Sequence, residues 1–302
     1  MTTDDLQLAR RAAAAGAAVG LRHFAALAGL ARETKADGSV VTAADRAVEA
    51  AVREVIAGDR PGDAILGEEG GEQAGAQRPG GNGRRWIIDP IDGTALFVEG
   101  DDRWLVLIAL EENGVITTGV AAIPAQGRVW WAARGRGAFE ARDGDGAASD
   151  GAAGDGAAGS PAGDGAAGSP AGDGVAGSPA GDGARRIMVA PATTDVAASR
   201  LGVISVGTTV AAPLQRVVAD RPWPFHPALM VARGDLDLAV QANGQVWDFA
   251  AISLIVTEAG GRYSGLTGRP EPAAGPSLYS ASAGLHDAAL DVLAPPRAAG
   301  TH

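Results

Sequence analysis

The chain has 302 residues, and 25 Lys and Arg stand against 36 Asp and Glu, a formal net charge of −11. That balance excludes the basic footprint of a nucleic-acid binder, and the lack of cysteine excludes disulfides and thiolate metal sites. No apolar run approaches the roughly 20 residues of a membrane helix, and the acidic start Met1-Thr2-Thr3-Asp4-Asp5 is unlike a signal peptide, so a soluble cytoplasmic protein with no membrane partner is expected.

Residues 4–30 carry Leu6, Leu8, Ala12, Ala15, Val19, Phe24 and Leu27 at helical spacing, which predicts an amphipathic helix. Asp37-Gly38 is a turn signal that breaks it. The break contains Lys35, the sole lysine of a chain that otherwise uses arginine. Either that position wants a compact ammonium or the lysine is chance. Thr42 with Asp45 three residues on reads as a capping box, opening a second helix that runs to about Ala57 on a stripe of Val48, Val52, Val55 and Ile56. Ala64-Ile65-Leu66 reads as a strand ending at Gly67-Glu68-Glu69-Gly70-Gly71, and a polar loop is expected over 72–83. Trp86-Ile87-Ile88 reads as a short buried strand that stops at Asp89-Pro90-Ile91-Asp92-Gly93-Thr94. Strands follow over 105–110, 115–123 and 129–133, and Gly135-Arg136-Gly137 closes the block.

Residues 143–185 differ in kind. Gly-Ala-Ala-Gly-Ser-Pro-Ala-Gly-Asp runs over 156–164 and 165–173, and again over 174–182 with Val175 replacing the first alanine. A calcium-binding β-roll needs a large apolar residue in each turn, and this repeat has none. It reads as a disordered Gly/Ala/Pro-rich insertion in a surface loop. Beyond it, strands are expected over 203–206, 236–240 and 277–280. Helices are expected over 227–233, 247–258 and 284–293, the second capped by Gly260-Gly261. The alternation argues a layered α/β or α+β architecture.

Acidic residues sit at element ends: Glu68-Glu69, Asp89 with Asp92, and Asp248. Strand ends and helix starts can meet at one sheet edge, where carboxylates repel unless a cation neutralises them. Hard oxygen ligands without Cys or a nearby His favour Mg²⁺ over Zn²⁺. Pro90 stiffens the turn, Gly93 lets a ligand approach the backbone, and Thr94 adds a hydroxyl and an N–H, a set suited to metal and phosphate. Each feature also has a plain reading: a solvated loop, ordinary turn dipeptides, and a helix N-cap at Asp248.

Trp86-Ile87-Ile88-Asp89-Pro90-Ile91-Asp92-Gly93-Thr94 and Trp247-Asp248-Phe249-Ala250-Ala251 resemble the two motifs of the inositol monophosphatase family. Residues 35–45, Gly67-Glu68-Glu69-Gly70 and Val256-Thr257-Glu258-Ala259-Gly260-Gly261 match it in order. The resemblance covers residues 1 to about 140 and 187–293. It implies an αβαβα sandwich of two subdomains, 1–142 and 186–302 flanking the insertion, and commonly a homodimer. It implies two or three Mg²⁺ held by Glu68, Asp89, the carbonyl of Ile91, Asp92 and Asp248, with Asp89 bridging two ions roughly 4 Å apart. A water held there would attack phosphorus, oriented by Thr94 and Asp45. The amides of Gly93 and Thr94 would hold phosphate, Glu69 would support the ligands, and Lys35 would offset nearby negative charge.

The sequence departs from the family pattern on the leaving-group side. Ala95-Leu96-Phe97 follows the first motif where x-Asn-Phe is usual. A Ser-x-Gly-Ser/Thr-Ala segment normally precedes Val-Ala-x-Gly; here 220–226 precedes Val231-Ala232-Arg233-Gly234. The carboxylate seven residues before the second-motif aspartate, which holds substrate hydroxyls in inositol-type members, is Gln241. Trp223, Phe225 and His226 read equally as a wall for a planar substrate and as core aromatics of a Pro-rich loop. The stretch 130–139 is similar to bacterial histidinol-phosphatase-type members.

The resulting expectation is a Mg²⁺-dependent phosphatase of a small-molecule phosphate monoester, histidinol phosphate first. Inositol 1-phosphate, another sugar or cyclitol phosphate and a nucleotide 3′-phosphate are the alternatives. The competing classes are a metal- or phosphate-binding regulator and a calcium-binding repeat protein.

Overall fold

In the computed structural model, residues 4–27, 32–34, 40–75, 83–142, 183–191, 193–204 and 209–294 are described. The first helix, α1 (Asp5–Phe24), starts where the Asp4 carboxylate accepts from the N–H of Leu6. It stops short of residue 30: the N–H of Ala26 bonds back to His23, a tightened last turn. Phe24 closes that end by packing on Phe97 and Trp104. The expected break holds a small antiparallel pair, β1 (Arg32–Thr34) and β2 (Val40–Thr42). Lys35 and the Asp37-Gly38 turn lie outside the described residues. Helix α2 (Ala43–Asp59) opens on the expected capping box of Thr42 and Asp45.

An eight-stranded sheet follows. Its members are β3 (Ala64–Gly67), β4 (Gly71–Gln73), β5 (Arg84–Asp92), β6 (Leu105–Glu112), β7 (Val115–Ile123), β8 (Arg128–Ala133), β9 (Ala138–Arg142) and β10 (Arg185–Ile187). Their spatial order is β10-β9-β8-β7-β6-β5-β3-β4. A short helix, α3 (Thr94–Glu99), leaves the end of β5. Gly135-Arg136-Gly137 does not close the block but turns the β8–β9 hairpin. The repeat lies outside the described residues, and its flanks β9 and β10 are antiparallel neighbours.

The second sheet has four strands, β11 (Leu201–Ile204), β12 (Leu238–Gln241), β13 (Arg262–Gly265) and β14 (Ser277–Ser280), in the order β11-β12-β14-β13. Four helices accompany it: α4 (Ala212–Gln215), α5 (Pro227–Arg233), α6 (Val246–Glu258) and α7 (Ala283–Leu293). Strand β13 was not legible, because four residues between Gly-Gly and a loop give no period to read.

Period-two alternation assigns each sheet face to a core. Trp86 and Ile88 face α1 and α2 with Trp104, Val106 and Ile108, while Ile87 faces α5 and α6 with Leu105 and Leu107. Ala239, Tyr263 and Tyr279 of the second sheet join that same α5–α6 layer. Leu238, Val240 and Leu278 turn the other way, onto α7. The layers therefore run α, β, α, β, α, as expected. Helix α6 is buried without interruption from Phe249 to Val256, because a sheet covers it on either side.

The β7–α6 contact is close enough to demand glycine. A Cβ at Gly119 would lie 2.7 Å from the carbonyl oxygen and 3.1 Å from the Cα of Ala251. Backbone cannot swing aside as a side chain can. Gly119→Ala is expected to lower unfolding free energy by about 1–3 kcal/mol, read as a lower urea midpoint at unchanged m-value.

Candidate active site

Strand β5 does not end at Ile88 but carries the acidic motif inside the sheet. Asp89 pairs with Leu107 and Asp92 with Leu105, so β5 spends one more residue than β6 between these pairs. In a regular strand, residues three apart face opposite sides. The bulge cancels that half-turn of pleat and lets both carboxylates face one way. Pro90, which has no N–H to donate, is tolerated at such an irregularity. Gly93 then sits at φ +83°, the left-handed conformation that starts α3 at Thr94.

The third carboxylate arrives from α6. Gln245 and Asp248 form a capping box, in which the N–H of Gln245 donates to Asp248. Asp248 is thus the third residue of the first turn and not the N-cap itself. Carboxylate oxygens of Asp89, Asp92 and Asp248 lie within 4.8 Å of one another. Glu68 stands beside this trio at the end of β3, where its N–H donates to the carbonyl of Ile88 at 3.2 Å. Burial, then the charges of Glu68, Asp248 and Asp92, push the Asp89 carboxyl well above the usual range. Burial, then Asp248 and Glu68, do the same to Asp92. Both oxygens of Asp89 are buried without a hydrogen-bond donor. A carboxylate starved of donors among other carboxylates fits a hard divalent cation.

Asp45 and Thr94 meet next to the trio. Asp45 is fully buried, and one of its oxygens accepts from the N–H of Thr42 at 2.8 Å and from the Thr42 hydroxyl at 2.7 Å. The other oxygen accepts from the Thr94 hydroxyl at 3.0 Å. Thr94 Oγ1 also lies 3.1 Å from the Ile91 carbonyl, so the hydroxyl has two acceptors for its one proton and its lone pairs remain free. The helix cap and the Thr94 partner are the same carboxylate.

The sequence alone does not mark Glu49, because a glutamate inside a helix reads as solvated. It is buried, and its two oxygens accept from the N–H groups of Glu69 and Gly70, each at 2.8 Å. Arg53 neutralises it at 2.7 Å and bonds the carbonyl of Gly71. A Cβ at Gly67 would lie 2.4 Å from the Glu49 carboxyl, which explains the glycine there. Glu49 thereby fixes the loop that presents Glu68 and Glu69. The signal was present: Asp45, Glu49 and Arg53 recur every four residues on one helix face.

The residues expected on the leaving-group side lie at the second sheet. Gln241 ends β12 and is buried. Phe225 is core, stacked on Trp130 with ring centroids 5.3 Å apart, so it forms no substrate wall. His226 is the buried N-cap of α5, its Nδ1 accepting from the N–H of Ala228 at 3.2 Å. Trp223 packs at the rim beneath the guanidinium of Arg103, 4.2 Å from its ring. A separate cleft of about 410 Å³, lined by Arg85, Arg134, Thr257 and Tyr263 among others, contains none of Glu68, Asp89, Asp92 and Asp248.

Comparison with known proteins places this arrangement. The model of the inositol monophosphatase family matches residues 3–145 and 228–297. A histidinol-phosphatase of Mycobacterium tuberculosis is 38% identical over 299 residues, covering 96% of this chain and 98% of that protein. One from Streptomyces coelicolor is 35% identical, covering 96% and 97%. Among solved structures, an inositol monophosphatase from Anabaena superposes with a TM-score of 0.68 at 25% identity, covering 97% of this chain and 96% of that one.

The raised carboxyls set a pH dependence. Folded Asp89 and Asp92 hold protons that the unfolded chain releases near its ordinary carboxylate range, so folding binds protons there. Stability of the cation-free protein must therefore fall as pH rises above that range. Thermal melts in chelator from pH 4.5 to 8 are expected to show this fall. Added Mg²⁺ or Asp89→Asn should flatten it.

Proposed function

The chain belongs to the inositol monophosphatase family and is a phosphoric monoester hydrolase, and from that premise we propose that it uses Mg²⁺ to hydrolyse histidinol phosphate. The observation that carries the chemistry is the carboxylate trio, with Asp89 buried and Asp92 and Asp248 half-buried, standing beside the Thr94–Asp45 pair. The near full-length likeness to two histidinol-phosphatases supports the substrate.

Glu68, Asp89, the Ile91 carbonyl, Asp92 and Asp248 would hold the cations. Bound there, Mg²⁺ supplies charge neutralisation for the phosphoryl group and acidifies water. The chain's own residues do the rest. Thr94 Oγ1 accepts a hydrogen bond from the attacking water and passes its own proton towards Asp45. The water oxygen forms its bond to phosphorus as the ester bond breaks, and the departing alkoxide takes a proton from solvent. Asp45 is fit for this because its other oxygen is locked by Thr42 and cannot turn away. The amides of Gly93 and Thr94 would hold phosphate oxygens at the bend out of β5, which has no side-chain cap competing for them. Glu69 would support the metal ligands from the loop gripped by Glu49, and Lys35 would offset nearby negative charge. Gln241 meets the leaving group.

Phosphate release should be measured with and without Mg²⁺ from histidinol phosphate, inositol 1-phosphate, fructose 1,6-bisphosphate, a sugar 1-phosphate and adenosine 3′,5′-bisphosphate. Mg²⁺-dependent turnover led by histidinol phosphate is expected. A different leading ester would replace the substrate, and Mg²⁺ binding without turnover of any would favour a regulator. Asp92→Asn should lower turnover by more than about 100-fold. Thr94→Val should lower kcat by about 100-fold or more with KM little changed. Full Mg²⁺-dependent activity in Asp92→Asn would sink the metal assignment.

A further inference from the structure

Four buried polar atoms without a closed hydrogen bond fall in one place: His226 Nε2, Gln241 Oε1, Ser277 Oγ and Tyr279 OH. Gln241 stands opposite Ser277 in the antiparallel ladder, and Tyr279 is two residues further along β14. All three side chains therefore share one face of the second sheet. It is the face turned to α5 and α6, since Tyr279 and Ala239 pack in that core. His226 caps α5 above it.

The cluster borders the carboxylates. A Cβ at Gly244, three residues past Gln241, would lie 2.7 Å from an oxygen of Asp248. Burial, the Tyr263 ring and the charges of Asp248 and Asp92 hold the Tyr279 phenol protonated, far above its usual range. No member of the cluster is charged. Burial brings His226 down to about 4, so its ring is neutral at working pH.

The tautomer follows from the cap. Because Nδ1 accepts from Ala228, the ring proton sits on Nε2. His226 Nε2 and Gln241 Oε1 are both buried with no closed hydrogen bond, so each lacks the partner the other could supply. Of the Gln241 amide, the oxygen is thus the inward end.

We propose that His226, with Ser277 and Tyr279 behind it, is a positioning residue that turns the Gln241 oxygen inward and its NH₂ towards the leaving group. The inference rests on the phosphatase reading and deepens it. A carboxylate at this position would offer acceptors and a negative charge. The amide held this way offers a donor and no charge. It selects alcohols that place a neutral acceptor there, such as a hydroxyl oxygen or the unprotonated nitrogen of an imidazole, and disfavours an ammonium at that point.

His226→Asn keeps an acceptor for the Ala228 N–H but loses the donor that reaches Gln241. His226→Gln restores an N–H at the Nε2 end. Kinetics on histidinol phosphate, inositol 1-phosphate and phenyl phosphate, whose leaving group has no polar substituent, separate the roles. His226→Asn is expected to raise KM for the preferred polar ester about tenfold at nearly constant kcat. Phenyl phosphate hydrolysis and melting temperature should stay near wild type, and His226→Gln should recover most of the loss. An unchanged KM, or a parallel loss on phenyl phosphate, overturns the proposal. Nitrogen NMR of the His226 ring reads the same geometry without turnover. A neutral ring protonated at Nε2, whose signal shifts in Gln241→Leu, is expected, and an Nδ1–H tautomer overturns it. Should the wild-type chain hydrolyse none of the three esters, the phosphatase reading falls, while the tautomer still decides the placement of Gln241.

Discussion

Repulsion among Asp89, Asp92 and Asp248 is the term against which the rest of the molecule is built. Their oxygens lie within 4.8 Å of one another, and Asp89 is buried without a donor. Like charges at that range in a poorly polarisable interior cost several kcal/mol when all are ionised. Left to relax, such groups would part. They stay because two are fixed to a strand inside an eight-stranded sheet and one to a helix clamped between two sheets. The apolar layers on both sides of β5 thus hold an arrangement that its own charges oppose. The strain is useful, since a cation that relieves it binds more tightly than it would to three mobile side chains.

The layered architecture was legible because periodicity and turn residues agree with it. Helices α2 and α5 and strands β7 and β14 sit where apolar spacing and caps put them. The acidic motif was legible as chemistry but not as geometry. A reader of Asp-Pro-Ile-Asp sees a turn, whereas the molecule continues the strand and bulges it. That choice depends on the pairing partner β6, which lies outside any local window. Glu49 was hidden for a related reason. Its partners Glu69 and Gly70 lie 20 and 21 residues away, and only the tertiary approach of a loop makes a helical glutamate buried. Phe225 shows the converse, because its partner Trp130 comes from the other sheet and removes it from the substrate side.

The proposed chemistry and the proposed recognition occupy different sheets. The eight-stranded sheet, the turn after β3, α2 and the start of α3 supply Asp89, Asp92, Glu68, Asp45 and Thr94, while the four-stranded sheet supplies Gln241, Ser277 and Tyr279. Asp248 stands at the seam between them. The sequence matches its family closely in the first group and departs in the second. This division suits a frame on which the leaving group can change without disturbing the reaction.

Asp45 also bears on how such a protein decays. Its carboxylate closes the capping box of α2 and, through the opposite oxygen, holds Thr94. A descendant released from catalysis would still lose helix stability, about 1 kcal/mol for a cap, on losing this side chain. Purifying pressure on folding would therefore preserve Asp45 after the activity had gone. Thr94 caps no helix, since α3 begins without a side-chain cap. In a descendant that turned into a binding protein, the threonine is the residue whose drift should mark the transition, and the aspartate is the fossil that outlasts it.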